Sequence, residues 1–270
     1  MSRKLHKFQT EAEYQAYSAS TEYTTPCVAL IVDTNVIYYD YGSNKPQAPD
    51  LSDYKGEFQE SSFGGDYYGK NAITKINYIP SSITSFDAAF SNYPSLQEVT
   101  CEIPSGVTDM SETFANCPSL VNSPNIPSGV TSMFYTFSNC SSLVNAPVMP
   151  DSVEDVMCTF EGCSNLVNVP NISSGVTDMM LTFDGCSSIV NSPAIPNSVI
   201  QMHRTFRNCS SLKELTMLGT TPPSMQSALQ GCSSIESIYV PDSAVDAYKT
   251  STNWSEFADK IKPLSSKPSE

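Results

Sequence analysis

From residue 107 the chain reads VTDMSETFANCPSLVNSPNIPSG, and from residue 130 it reads VTSMFYTFSNCSSLVNAPVMPDS. The second stretch is the first one again, 23 residues later. Cys117, Cys140, Cys163, Cys186, Cys209 and Cys232 keep that interval, and so do Phe114, Phe137, Phe160, Phe183 and Phe206, each preceded by a threonine. Leu120, Leu143, Leu166, Ile189, Leu212 and Ile235 form a further series, and Pro124, Pro147, Pro170 and Pro193 another. A fixed interval of this size is the mark of a stacked-repeat array in which each unit leans on its neighbours. An earlier, irregular copy begins at Ile83, with Phe90 and Tyr93 at the Phe and Cys positions and one extra residue between Leu96 and Ile103. Upstream, INYIP at 76–80 reads as the strand of an opening partial unit.

The periodicity suggests a shape for one unit. Val107, Met110, Phe114 and Cys117 stand at i, i+3, i+7 and i+10, which places them on one face of a short helix. The following LVNSPNIP carries prolines and lacks helical spacing, so it reads as a short strand. Parallel strands from successive units then stack about 4.8 Å apart, and each column becomes a ladder of like residues. Phe, Leu and Cys ladders form the expected core. One 23-residue unit alone cannot offset ordering costs of about 1–2 kcal/mol per residue, so stability is shared along the array.

This unit resembles the BspA-type leucine-rich repeats of bacterial surface proteins, found also in some protists and phages. The residues that carry the resemblance are the M-x-x-T-F-x-x-C-S-S-L cores and the I-P-x-x-V-T segments that follow them. It implies an α/β leucine-rich-repeat solenoid of short strand plus short helix over residues 73–235. It also implies a role in adhesion or protein recognition, without catalytic residues. Residues 236–264 are similar to the closing cap of such arrays: Asp242 opens a helix, and Tyr248, Trp254 and Phe257 cover the last rung. Residues 265–270 read as a tail.

Residues 1–65 do not repeat and read as a small α+β module that attaches or caps the array. Thr10 and Glu13 form a T-x-x-E capping box for a helix through Ala16. CVALIVDTNVIYYD at 27–40 reads as a β-hairpin, and a tract rich in Gly, Ser, Asp and Tyr links the module to the repeats. The helix-plus-hairpin pattern is also similar to the openings of some virion proteins of phages infecting gut Bacteroidetes. The first residues, MSRKLHKFQTEAEY, lack the apolar stretch of an export signal. A surface role without such a signal points to a virion component assembled in the host cytoplasm. A bacterial cell-surface adhesin binding host or matrix proteins is the alternative.

The 270 residues hold 28 acids against 14 Lys and Arg, a net charge of −14, with 40% apolar residues. That is ample for a core, and its electrostatics oppose nucleic acid and anionic membranes. The longest apolar run, CVALIV at 27–32, falls far short of the roughly 20 residues a membrane span needs. From Ile76 to His203 there are 11 acids and no Lys or Arg, so the middle of the array is uniformly negative.

Candidate chemistry is sparse. Nine cysteines include no C-x-x-C, and six lie in one ladder whose Cβ atoms point the same way, which suits neither disulfides nor tetrahedral metal. They read as core thiols. His6 and His203 are the two histidines and lie far apart in sequence; His203 is expected on an outward position beside Arg204. Glu154 and Asp155 read as solvated acids, and Asp109, Asp155 and Asp178 lack a calcium-loop pattern. No catalytic, cofactor or metal residue is expected. Asn122, Asn145, Asn168 and Asn191 form a column assigned to backbone satisfaction, and the small neighbours Ser123, Ala146, Val169 and Ser192 make that side flat rather than pocketed.

The sharpest local pattern follows each Met-equivalent. Of the next two positions, the second is read as pointing opposite the core face and the first as lying on its flank: Ser111–Glu112, Phe134–Tyr135, Met157–Cys158, Met180–Leu181 and His203–Arg204. Three central rungs are apolar and both ends polar, the arrangement of an interaction stripe with a polar rim. The expected interaction residues are Phe134, Tyr135, Met157, Met180, Leu181, His203 and Arg204. The expected partners are other virion or cell-surface proteins or a second copy of this chain, with neither nucleic acid nor membrane insertion.

Overall fold

The computed structural model describes residues 4–8, 27–31, 36–40, 74–76, 79 and 86–268. Near the N-terminus, β1 (Lys4–Phe8) pairs parallel with β2 (Cys27–Ile31), and β2 pairs antiparallel with β3 (Val36–Asp40), with Cys27 opposite Asp40 and Ile31 opposite Val36. The two strands of the hairpin expected from the apolar runs at 27–40 therefore pair antiparallel. The strand β1 was not anticipated, and the capping-box helix at 10–16 lies outside the described residues.

The repeats stack one coil per unit. On the side after each Leu or Ile, the chain is extended and runs parallel to its neighbours. β4 (Lys75–Ile76) pairs with β5 (Glu98–Val99), and single bridges join Glu98, Asn122, Asn145 and Asn168 in succession. Full strands return as β6 (Asn191–Ile195), β7 (Glu214–Met217), β8 (Ser237–Val240) and β9 (Ile261–Pro263), one parallel sheet in chain order. The strand expected in LVNSPNIP is thus reduced to a bridge in the central coils. The proline two residues beyond each bridge has no N–H to donate to a longer ladder.

The expected helix is absent. Residues 110–117 and their equivalents form consecutive tight turns, because each unit holds two residues with positive φ, such as Tyr135 (52°) and Asn139 (59°). A right-handed helix cannot pass through a left-handed residue. The donors alternate accordingly. Tyr135, Phe137 and Asn139 N–H donate to Met157, Thr159 and Glu161 of the next coil, at 3.1, 2.9 and 2.6 Å. Thr136, Ser138 and Cys140 N–H close turns on Met133, Tyr135 and Phe137 of their own coil, at 3.1, 3.0 and 3.0 Å. The spacing that suggests a helical face is the spacing of inward positions around these turns: Val107, Met110, Phe114 and Cys117 are all fully buried.

The ladders make the core. Phe90, Phe114, Phe137, Phe160, Phe183 and Phe206 stack in series, with ring centroids 5.4–5.7 Å apart and planes within 3–14° of parallel. The Leu/Ile column is buried throughout. Each such side chain contributes about 1.5–3 kcal/mol by leaving water. The ladder thiols donate to the phenylalanine carbonyl of the preceding coil: Cys140 to Phe114, Cys163 to Phe137, Cys186 to Phe160 and Cys209 to Phe183, at 3.1–3.2 Å. Threonines do the same, Thr136 to Met110 at 2.9 Å and Thr159 to Met133 at 2.8 Å.

The C-terminal end closes as the sequence suggests. A 3-10 turn at Asp242–Ala244 leads into α1 (Val245–Thr250). Tyr248 and Trp254 are fully buried and meet edge to face at 4.8 Å, while Phe257 packs partly buried beside them. The Tyr248 hydroxyl donates to Gly219 O at 2.9 Å and Trp254 Nε1 to Pro223 O at 2.8 Å, which ties the cap to the last rung. The segment read as a tail is docked at least to Lys267, whose Nζ reaches Thr216 Oγ1 at 3.0 Å.

Candidate functional site

The residues expected to form a stripe on the turn side are less exposed than a helical projection implies. Phe134, Tyr135, Met157, Met180, Leu181 and His203 are half-buried, Arg204 is exposed, and Cys158 is 1% exposed. The second residue of each pair was expected to point farthest from the core. Instead it has positive φ in every coil: 53° at Glu112, 52° at Tyr135, 56° at Cys158, 58° at Leu181 and 57° at Arg204. At this column Tyr135 reaches the next coil through Cys158. Phe134 and Tyr135 meet edge to face at 4.5 Å. The Tyr135 hydroxyl donates to the Cys158 sulfur, which together with burial and the nearby acids pushes this phenol up to about 12. Burial pushes the Cys158 thiol up to about 11. His203 Nε2 bonds Ser224 Oγ at 2.8 Å across to the next coil.

The acids of the turns have structural tasks. Asp109, Asp155 and Asp178 accept from the backbone N–H two residues on, Ser111, Met157 and Met180, at 2.8, 3.0 and 2.8 Å, and so brace the turn that presents each stripe pair. Glu154 is exposed. Asp184 is buried and receives Arg207 Nε at 2.8 Å. Glu161, in the neighbouring coil, has its carboxyl pushed upward by burial and then by Asp184, with Arg207 opposing. Among the described residues, no group of three His, Cys, Asp or Glu side chains is arranged to hold a metal ion, and no helix is long and apolar enough to cross a membrane.

A second surface lies on the strand side, where the sequence reading weighed the asparagine column but not the valines beside it. Val121, Val144, Val167 and Val190 are 37–48% exposed and sit one above another on four consecutive coils. Beside them run Asn122, Asn145, Asn168 and Asn191, also exposed, with Asn168 Nδ2 donating to Asn145 Oδ1. In the sequence a valine directly follows the buried Leu or Ile of these four coils, but strand alternation does not account for its exposure, since the asparagine after it is exposed as well. At either end the valine position becomes polar, Gln97 before it and Lys213 and Glu236 after it.

Repeat length, turn chemistry and the Phe–Cys–Leu ladders agree with a single family description. The family model for the BspA type leucine-rich repeat region matches residues 61–156 and 134–254, in six copies. The chain belongs to the BspA-type leucine-rich-repeat family. Its fold is shared with the T. pallidum leucine-rich-repeat protein, 20% identical over 80% of this chain and 89% of that one, with a TM-score of 0.51. Also similar are a leucine rich cell surface protein from Faecalibacterium prausnitzii (21% identity, 64% of this chain and 61% of that chain, TM-score 0.39) and a leucine-rich repeat protein from Bacteroides ovatus (19% identity, 63% and 56%, TM-score 0.36). The chain therefore spans less than two thirds of the length of those last two. None of the curated protein sequences compared with this BspA-type chain matches it.

Proposed function

We propose that this chain is a non-enzymatic protein-binding solenoid of the bacterial cell surface, with the turn-side stripe as its partner surface. The observation that carries the reading is the stripe itself: apolar side chains on three successive coils, framed by Ser111–Glu112 before and His203–Arg204 after. The repeat family, one of bacterial surface proteins, favours the cell surface. The virion role suggested by the N-terminal resemblance finds no support among the comparisons and becomes the second reading.

The left-handed positions supply a clean test. Tyr135 and Leu181 occupy a conformation that costs a non-glycine residue about 1–2 kcal/mol and that asparagine tolerates best after glycine. Tyr135→Asn with Leu181→Asn therefore removes the apolar stripe while easing the backbone. Binding of purified wild-type and doubly substituted chain to immobilised host matrix proteins is compared, alongside antibody labelling of intact bacterial cells. The expected result is surface labelling, binding by wild type, and loss of binding with the melting temperature held. A double variant that binds as well as wild type removes the stripe from consideration, and labelling only after cell lysis removes the surface assignment.

A further inference from the structure

We propose that Met157, Met180 and His203 form a binding site for one soft monovalent cation, Cu(I) or Ag(I), across three consecutive coils. The site lies within the turn-side stripe, but it rests on the donor atoms of these residues and not on the reading of the stripe as a partner surface.

Placement comes first. The three residues follow the buried Val156, Met179 and Met202 at one 23-residue interval, so they occupy one column. Their coils are joined directly on this side: Cys158 N–H donates to Met180 O and Leu181 N–H to His203 O, both at 3.0 Å. Three residues on, the Phe160, Phe183 and Phe206 rings of the same coils stack at 5.6 and 5.4 Å. Met180 is thus one coil from each of the other two, a gap that an unbranched methionine side chain with three rotatable bonds is suited to close. All three side chains are half-buried, open enough for an ion to enter and partly dried by their neighbours.

The donor chemistry selects the ion. Thioether sulfur is a soft ligand that favours Cu(I) over hard cations, and imidazole suits copper as well. The His203 ring is already held: Nε2 bonds Ser224 Oγ at 2.8 Å, and Ser224 lies on the coil away from Met180. With Nε2–H donating there, Nδ1 keeps its lone pair, turned away from Ser224 to the side on which Met180 lies. An outer hydrogen bond of this kind commonly fixes a metal-binding imidazole. Charge favours a cation too. No Lys or Arg lies between Ile76 and His203, and Asp155 and Asp178 stand at the base of the site, accepting from the Met157 and Met180 N–H groups at 3.0 and 2.8 Å. Of the nearby cations, Arg204 is exposed and Arg207 is held by Asp184. Cys158 is 1% exposed and its sulfur accepts from the Tyr135 hydroxyl, so it is not one of the ligands.

The test is titration of the full chain with Ag(I), after accessible thiols have been blocked with iodoacetamide, read by NMR of isotope-labelled methionine methyl groups. Of the chain's 10 methionines, Met157 and Met180 are expected to shift together, with the His203 ring protons. The signals are assigned by their loss in Met157→Leu and Met180→Leu. Anaerobic competition with a chromogenic chelator then gives the Cu(I) dissociation constant, which Met180→Leu or His203→Gln is expected to raise by about tenfold or more. Leucine keeps the stripe apolar, so Met180→Leu is expected to retain the wild-type melting temperature and any partner binding, which separates a lost metal site from a lost partner surface. Cys158→Ser is expected to leave Cu(I) affinity unchanged. Ag(I) that shifts neither Met157 nor Met180 in the wild-type chain overturns the proposal. So does Cu(I) affinity indifferent to both Met180→Leu and His203→Gln, or affinity that disappears in Cys158→Ser.

Discussion

Two columns of single residues show how the same backbone demand leaves different traces in sequence. The position before each ladder cysteine, and before Tyr93 in the first copy, is Asn92, Asn116, Asn139, Gly162, Gly185, Asn208 or Gly231, and all seven have positive φ. Only Asn and Gly occur there, as the left-handed region prefers. At Gly162 a Cβ would come within 2.4 Å of Asn139 Oδ1, so the two residues also share one space. The other left-handed column holds Ala, Glu, Tyr, Cys, Leu, Arg and Ser, and no residue preference betrays it. The threonine ladder offers a matched pair of substitutions. Thr159 Oγ1 donates to Met133 O, whereas the equivalent Thr182 hydroxyl is buried without a partner. Thr159→Val is expected to destabilise by about 1 kcal/mol and Thr182→Val to stabilise by a similar amount, since a lost bond and a relieved orphan act in opposite directions. Chemical denaturation of the two variants checks the signs. Glu161 gives a pH signature. Its carboxyl is raised in the folded chain, so its contribution to stability is intact below the ordinary carboxylate range and lost as pH rises through that range and the raised folded value. Glu161→Gln is expected to raise the melting temperature at pH 7 and leave it nearly unchanged at pH 4.

At the scale of the element, one coil is held by turns and ladders rather than by regular secondary structure. Its peptide groups alternate between own-coil and next-coil acceptors, so neither helix nor strand describes it, although its donors are satisfied as fully as theirs. The cysteine column belongs to this scheme. Its thiols hydrogen-bond to phenylalanine carbonyls, and burial pushes Cys163 up to about 12, Cys232 up to about 11, and Cys140, Cys186 and Cys209 upward. Thiolate, the reactive form, is then scarce at neutral pH. Iodoacetamide at pH 8 is expected to leave the ladder cysteines of the native chain unmodified and to alkylate all six in denaturant. Mass spectrometry of the digested protein reads the outcome, and ready native modification would mean that the ladder opens locally.

For the whole molecule, charge is distributed along the stack. Eleven acids and no Lys or Arg lie between Ile76 and His203, while Arg204, Arg207, Lys213, Lys249, Lys260, Lys262 and Lys267 crowd the closing end. Those cations partly serve the cap: Lys260 Nζ donates to Ile235 O at 2.7 Å, Lys262 Nζ to Ser237 Oγ at 2.7 Å, and Lys267 lies 5.7 Å over the Tyr239 ring. The polarity of the stack is therefore built into its chemistry.

The repeat interval, the inward Phe, Cys and Leu ladders and the aromatic closing cap were legible in the sequence, because each depends on a residue type recurring at a fixed step; the buried threonine ladder was not read as inward. Val107, Met110, Phe114 and Cys117 are buried as their pattern required, although the helix invoked to explain that pattern does not form. What only the tertiary structure decided was the burial of side chains at left-handed positions and the exposure of the valine column. Tyr135 and Leu181 are half-buried at a φ that their identities do not reveal, and Val144 stays in water because coils above and below it leave that side bare. Both outcomes are set by contacts between units 23 residues apart, and the local sequence of one unit holds no record of them.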